Sequence, residues 1–136
     1  DILGLFMVNR LIDMGEITDI TKEESIATFI AGIVRSVRFG HASSHGKANM
    51  MCYNYMEEHG AFSRDAEGRY VIDFGKAPEV INGWAALILE TQATGNFEFA
   101  QKYSSEHADI KDALASDIEK LNGAGIPRDI VFEYNW

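Results

Sequence analysis

Apolar residues recur at helical spacing in four successive stretches, and each stretch is closed by a glycine, at positions 15, 40, 60 and 95. A period near 3.6 followed by a residue that tolerates a left-handed turn is the pattern of amphipathic helices with defined stops. The first stretch, residues 1–14, carries Ile2, Leu5, Phe6, Val8, Leu11, Ile12 and Met14, a band wide enough for a helix buried on most sides. The second opens at "DITKEES", where Thr21 can cap and the acidic residues sit where the helix dipole favours them. Ile26, Phe29, Ile30, Ile33, Val34 and Val37 follow, so a helix is predicted to about Phe39. Ser43 or Ser44 can cap a third, with Met50, Met51, Tyr53, Tyr55 and Met56 on it and Gly60 at its end.

Beyond Gly60 the pattern changes. "AFSRDAEGRYVIDFG" alternates apolar and polar residues around Glu67-Gly68, which predicts a β-hairpin with arms near 61–64 and 69–73. A fourth helix is predicted over about 76–94, with Pro78 in its first turn, where a missing donor does no harm, and Val80, Ile81, Trp84, Leu87 and Ile88 turned inward. "NFEFAQKYSSEH" and "IKDALASDIEKLNG" read as two shorter helices. The tail "IPRDIVFEYNW" has strand-like composition with no partner legible in the chain, so its apolar residues are expected to face something else. The fold class expected is mainly α, about six helices with one small hairpin, in a single helical domain over residues 1–136. A first helix that opens without a start signal leads to the further expectation that this is a piece of a longer protein.

Composition narrows the function. Twenty-one acidic against 12 basic residues give a formal net charge of −9, which leaves no basic stripe for neutralising phosphates, so no nucleic-acid partner is expected. No apolar run approaches the roughly 20 residues that cross a bilayer, and no membrane association is expected. The lone Cys52 can form neither an internal disulfide nor a cysteine-based zinc cluster, which fits a reducing, cytoplasmic compartment.

The chemistry-bearing residues concentrate in "RSVRFGHASSHGKANMMCYNYMEEHG", residues 35–60. His41 and His45 are four apart, the spacing of a helical metal pair, but Gly40 and the serines are expected to put a turn between them. His45 and His59 share a face yet stand about 21 Å apart along a helix at 1.5 Å per residue. His107 is expected far away on a short surface helix. The neighbouring glutamates Glu23-Glu24 and Glu57-Glu58 point to different faces and read as capping and solvation. Cys52 reads as a small buried hydrophobe rather than a nucleophile. "SSH" lacks the third partner and strained elbow of a serine nucleophile, and no glycine-rich phosphate loop follows a strand. Residue patterns alone thus describe an acidic helical domain without a complete active site.

Taken in order, "DILGLFMVNRLIDMGEI", "VRSVRFG" with a histidine five residues on, a helix ending "YMEEHG", a hairpin, and "GWAALILETQATGNFEFAQKY" resemble the C-terminal part of the dipeptidyl peptidase III (M49) family of zinc peptidases. In that family an HExxGH motif and a downstream EExxA[ED] motif hold the zinc, and neither is present here. The resemblance puts Asp1 at or beside the last position of the second motif. It implies part of the helical, zinc-bearing lobe of a two-lobed peptidase, with zinc in the full-length protein on ligands outside this chain and none within it. His45 falls where relatives carry a cleft histidine, in an "[EA]HMxxR" context, that helps to stabilise the transition state. A neutral or charged imidazole there can donate to a developing oxyanion. Gly46 and Asn49 depart from the Met and Arg common at those places, which bears on specificity. Asn49 and Arg38 are the substrate contacts the resemblance implies. The partners expected are a peptide substrate and the N-terminal remainder of the same chain; the competing expectation is a non-catalytic helical protein-interaction module.

Overall fold

The structure is a computed structural model and describes residues 2–130 together with residues 132 and 133. Asp1, Val131 and the last three residues lie outside it, so the expectations for Asp1 and for the end of the tail fall partly there. The described residues form six helices, α1 (Ile2–Asp13), α2 (Lys22–Val37), α3 (Ser44–Glu58), α4 (Ala77–Thr94), α5 (Phe97–His107) and α6 (Asp112–Gly123), and a hairpin of β1 (Phe62–Arg64) and β2 (Tyr70–Ile72) between α3 and α4 in the chain.

Helix α3 is the centre. It packs on α2, α4, α5 and β1, while α1 lies on α2 and α4. Met50, Tyr53 and Met56 of α3 are almost wholly buried beside Ile26, Phe62, Ile81 and Leu114. The ends follow the sequence signals. Thr21 Oγ1 accepts from the Glu24 N–H at 3.1 Å while the Glu24 carboxylate accepts from the Thr21 N–H at 2.8 Å, a reciprocal box that satisfies two otherwise orphaned donors. At the other end of α3, Gly60 takes φ +77, so that its own N–H reaches Glu57 O at 3.1 Å and the Ala61 N–H reaches Met56 O at 2.8 Å. Only a residue without Cβ takes that conformation at no steric cost. The hairpin register pairs Phe62 with Ile72, Ser63 with Val71 and Arg64 with Tyr70.

Two expectations are corrected. Helix α1 is buried on one side only: Ile2 and Leu5 face the core, and Phe6 and Met14 are exposed. Its apolar band is wider than the two helices beneath it can cover. The described part of the tail forms no strand, and it does have a partner, the end of α2. Asp129 lies 3.5 Å from the Arg35 guanidinium, and the guanidinium of Arg128 sits 5.2 Å from the centre of the Phe39 ring.

Leu3, Phe6 and Met7 on α1, Leu89 on α4 and Phe97 on α5 all lie in the open. Large apolar side chains left in water favour association. The 136-residue chain on its own is therefore expected to bind a hydrophobic-surface dye and to self-associate. A strictly monomeric species in sedimentation, without dye fluorescence, would contradict this.

Candidate functional site

The turn between α2 and α3 places the residues singled out in the sequence. Ser43, extended at φ −73 and ψ 161, caps α3 by accepting the Gly46 N–H on Oγ at 3.1 Å. His45 follows in the first helical turn with its side chain exposed, and Asn49 stands one turn further on the same face. Asn49 is half-buried and donates from Nδ2 to Ser36 Oγ at 2.8 Å, which ties α3 to α2. It also borders a cavity of about 230 Å³ walled by Phe29, Met51, Trp84, Phe99 and Tyr103.

Arg38 follows the last residue of α2, where its guanidinium gathers the chain's own carbonyls. It donates to Asn122 Oδ1 at 3.0 and 3.3 Å, to Ile126 O at 2.7 Å and to Pro127 O at 3.4 Å. An arginine has five N–H groups, so at most one is left for a further acceptor. His45 and Asn49 thus share one face of α3, and Arg38 is turned to the C-terminal segment.

Two further histidines are engaged elsewhere. His59 stacks on Tyr55 at 3.9 Å between ring centres and has Nδ1 2.9 Å from Tyr55 O. His107, expected far off, instead packs against the end of α3. Its ring stacks on Tyr103 at 4.2 Å, and its Nδ1 stands 3.8 Å from Glu58 Oε2. Asn54 brings it there, donating from Nδ2 to the carbonyls of His107 and Asp109 at 2.8 and 3.0 Å. Lys111 donates to Glu58 at 2.7 Å. This bond, ahead of the cost of burial, holds the Glu58 carboxyl below its ordinary pKa. Among the described residues no three His, Cys, Asp or Glu side chains come together as a metal set.

Cys52 is buried 4.0 Å from Met56 Sδ, and burial pushes its thiol up to about 12. It is a packed hydrophobe, since a thiol so reluctant to ionise is no nucleophile at neutral pH.

The sequence reading missed Arg64. From β1 it donates to Glu57, to Asp117 Oδ2 at 3.0 and 3.1 Å, and to the phenol oxygens of Tyr53 and Tyr70 at 2.7 and 2.9 Å. Tyr70 in turn donates to Asp117 at 3.1 Å. The solvated glutamate expected at position 57 is thus an inward ion-pair partner, and α3, the hairpin and α6 meet at one guanidinium. Burial first, and then the bond to Tyr70, push the Tyr53 phenol far above its usual pKa, so it stays neutral.

No family model matches the chain. Among solved structures, the dipeptidyl peptidase III of Caldithrix abyssi superposes with a TM-score of 0.88 at 28% identity, over 96% of this chain and 25% of that one. The dipeptidyl-peptidase III of Corallococcus sp. strain EGB gives 0.84 at 26%, over 96% and 24%. The chain is dipeptidyl peptidase III-like. The likeness extends over nearly the whole chain. The chain spans about a quarter of the length of those dipeptidyl peptidases. A protein of Arabidopsis thaliana named Nudix hydrolase 3 is 31% identical over 130 residues, which make up 96% of this chain and 17% of that protein. Among the described residues no helix is long and apolar enough to cross a membrane.

Proposed function

We propose that this chain is one wall of the substrate cleft in a cytoplasmic zinc-dependent peptidase of the M49 kind, which releases dipeptides from oligopeptides. The observation that carries the reading is the superposition on two dipeptidyl peptidases III over 96% of the chain. On this reading zinc, which would supply Lewis acidity in such an enzyme, is held by ligands outside this chain. The chain's own contribution is His45. An exposed imidazole in the first turn of a helix, held by the Ser43 cap, donates a hydrogen bond to the oxygen that gains charge as a peptide carbonyl is attacked. Asn49, one turn along, supports the substrate backbone, and Arg38 shapes the rim by fixing the C-terminal segment while keeping one N–H for a substrate carbonyl. The partners are the peptide and the remainder of the same chain, which covers the apolar face of α1.

The test is made on the full-length protein. It is expected to hold zinc and to hydrolyse dipeptidyl arylamides, while the 136-residue chain, after dialysis, holds no stoichiometric zinc and is inactive. A full-length protein that neither holds zinc nor cleaves such substrates would favour a helical interaction module instead.

A further inference from the structure

Six residues, 38–43, join α2 to α3, and they are folded unusually tightly onto the helix they precede. Gly40 has φ +105, a conformation open to glycine and costly for other residues. Its backbone turns back so that the chain passes directly over the first turn of α3. A Cβ placed on Gly46 would lie 2.6 Å from His41 Cα, 2.7 Å from Gly40 O and 3.0 Å from the His41 carbonyl carbon. All three are backbone atoms, which cannot swing aside as the end of a flexible side chain can. Gly46 is buried under them, its N–H given to Ser43 Oγ at 3.1 Å. The Lys47 N–H goes to Ser43 O at 2.9 Å, so the loop is held from both sides.

The consequence concerns two histidines. His41 Cα lies one carbon–carbon bond plus 2.6 Å from Gly46 Cα at most, or about 4 Å, and Gly46 is the neighbour of His45. His41 and His45 therefore flank the same helical turn, although three residues separate them and His41 itself stands outside the helix. His59 and His107 are stacked and bonded elsewhere. His41 and His45 have no such engagement among the described residues.

We infer that Gly46 is a positioning residue, which by lacking a Cβ lets the Gly40–His41 backbone close on α3 and thereby sets His41 beside His45 as a second imidazole on the substrate-facing wall. The inference rests on the cleft-wall reading for its chemistry and on the 2.6 Å approach for its geometry. A peptide lying along this wall meets two adjoining donors, one from the helix and one from the loop.

The experiment follows the two histidine rings by NMR in the full-length protein and measures turnover beside them. In the wild type, His41→Gln is expected to move the His45 ring resonances, because a neighbouring imidazole sets the magnetic and polar surroundings of the ring beside it. In a Gly46→Ala background the same substitution is expected to leave them where they were. Turnover per folded molecule in Gly46→Ala is expected to fall about tenfold or more, mainly in kcat, since an ångström of misplacement costs rate more than binding. Should Gly46→Ala fail to fold, Gly40→Ala serves in its place: a Cβ there meets nothing within 4 Å, and only the strained φ opens the loop. His45 signals that ignore His41 in the wild type would overturn the inference. So would loop variants whose ring signals and turnover match the wild type. If the wild-type protein cleaves no peptide, the cleft-wall reading falls, and the ring signals still decide the geometry.

Discussion

In the full-length protein, His45→Ala is expected to lower kcat by about 10²-fold or more, with zinc retained and KM changed much less. That is the signature of a donor whose bond strengthens as charge develops on the substrate oxygen: ground-state binding hardly uses it. Stability should change little, because the side chain is exposed and supports no core contact. His59→Ala is the matched control. It stands at the other end of α3, about 21 Å along the axis, with its ring on Tyr55 and its Nδ1 near Tyr55 O. Turnover in that variant should stay close to wild type. Equal losses in the two variants, or a His45→Ala protein that mainly unfolds, would make His45 a structural residue.

Helix ends were the most legible feature of this sequence, because each is a local event. Thr21 with Glu24, Ser43, and the glycines at 15, 60 and 95 act within a few residues of themselves, and each stands where its pattern predicts. Side-chain destinations set by tertiary approach were not legible. Glu57 looks solvated until the hairpin returns Arg64 to it from seven residues on, and nothing near Arg64 announces Asp117, 53 residues later. The only local hint is the strand pairing that sets an arginine opposite Tyr70. His107 was misplaced for a similar reason, since the amide of Asn54 that draws its carbonyl in lies on another helix.

Gly46 is the instructive case within the site. In sequence it is a departure from the methionine that the resemblance leads one to expect. In the structure it has a steric cause, the backbone of a short loop lying where a Cβ would be. His45 could be picked out from resemblance and helix position, whereas the presence of His41 at the same turn follows only from that approach.

Arg64→Ala is expected to destabilise the fold by about 3 kcal/mol, as when one partner of an interior ion pair is removed. The Arg64 side chain is 17% exposed, and its partners Glu57 and Asp117 are 24% and 16% exposed. Truncation would leave two carboxylates and two phenols facing one another with their shared donor gone. Arg64→Lys should fall between the two, keeping the charge but losing the fork that reaches Glu57, Asp117 and both tyrosines together. The pH dependence separates this from lost packing. Burial raises the Asp117 carboxyl, but the hydrogen bonds from Arg64 and Tyr70 more than offset it, and its pKa in the folded protein is lowered. A lowered folded value means that the stabilisation is present above the ordinary aspartate range and is lost as the pH falls through the folded value. Urea unfolding of wild type and Arg64→Ala should therefore differ most near neutrality and converge in acid. A gap that stays constant from pH 7 to pH 3 would assign the loss to packing of the arginine, whose guanidinium carbon lies 4.7 Å from the centre of the Tyr70 ring, rather than to the ionic hub.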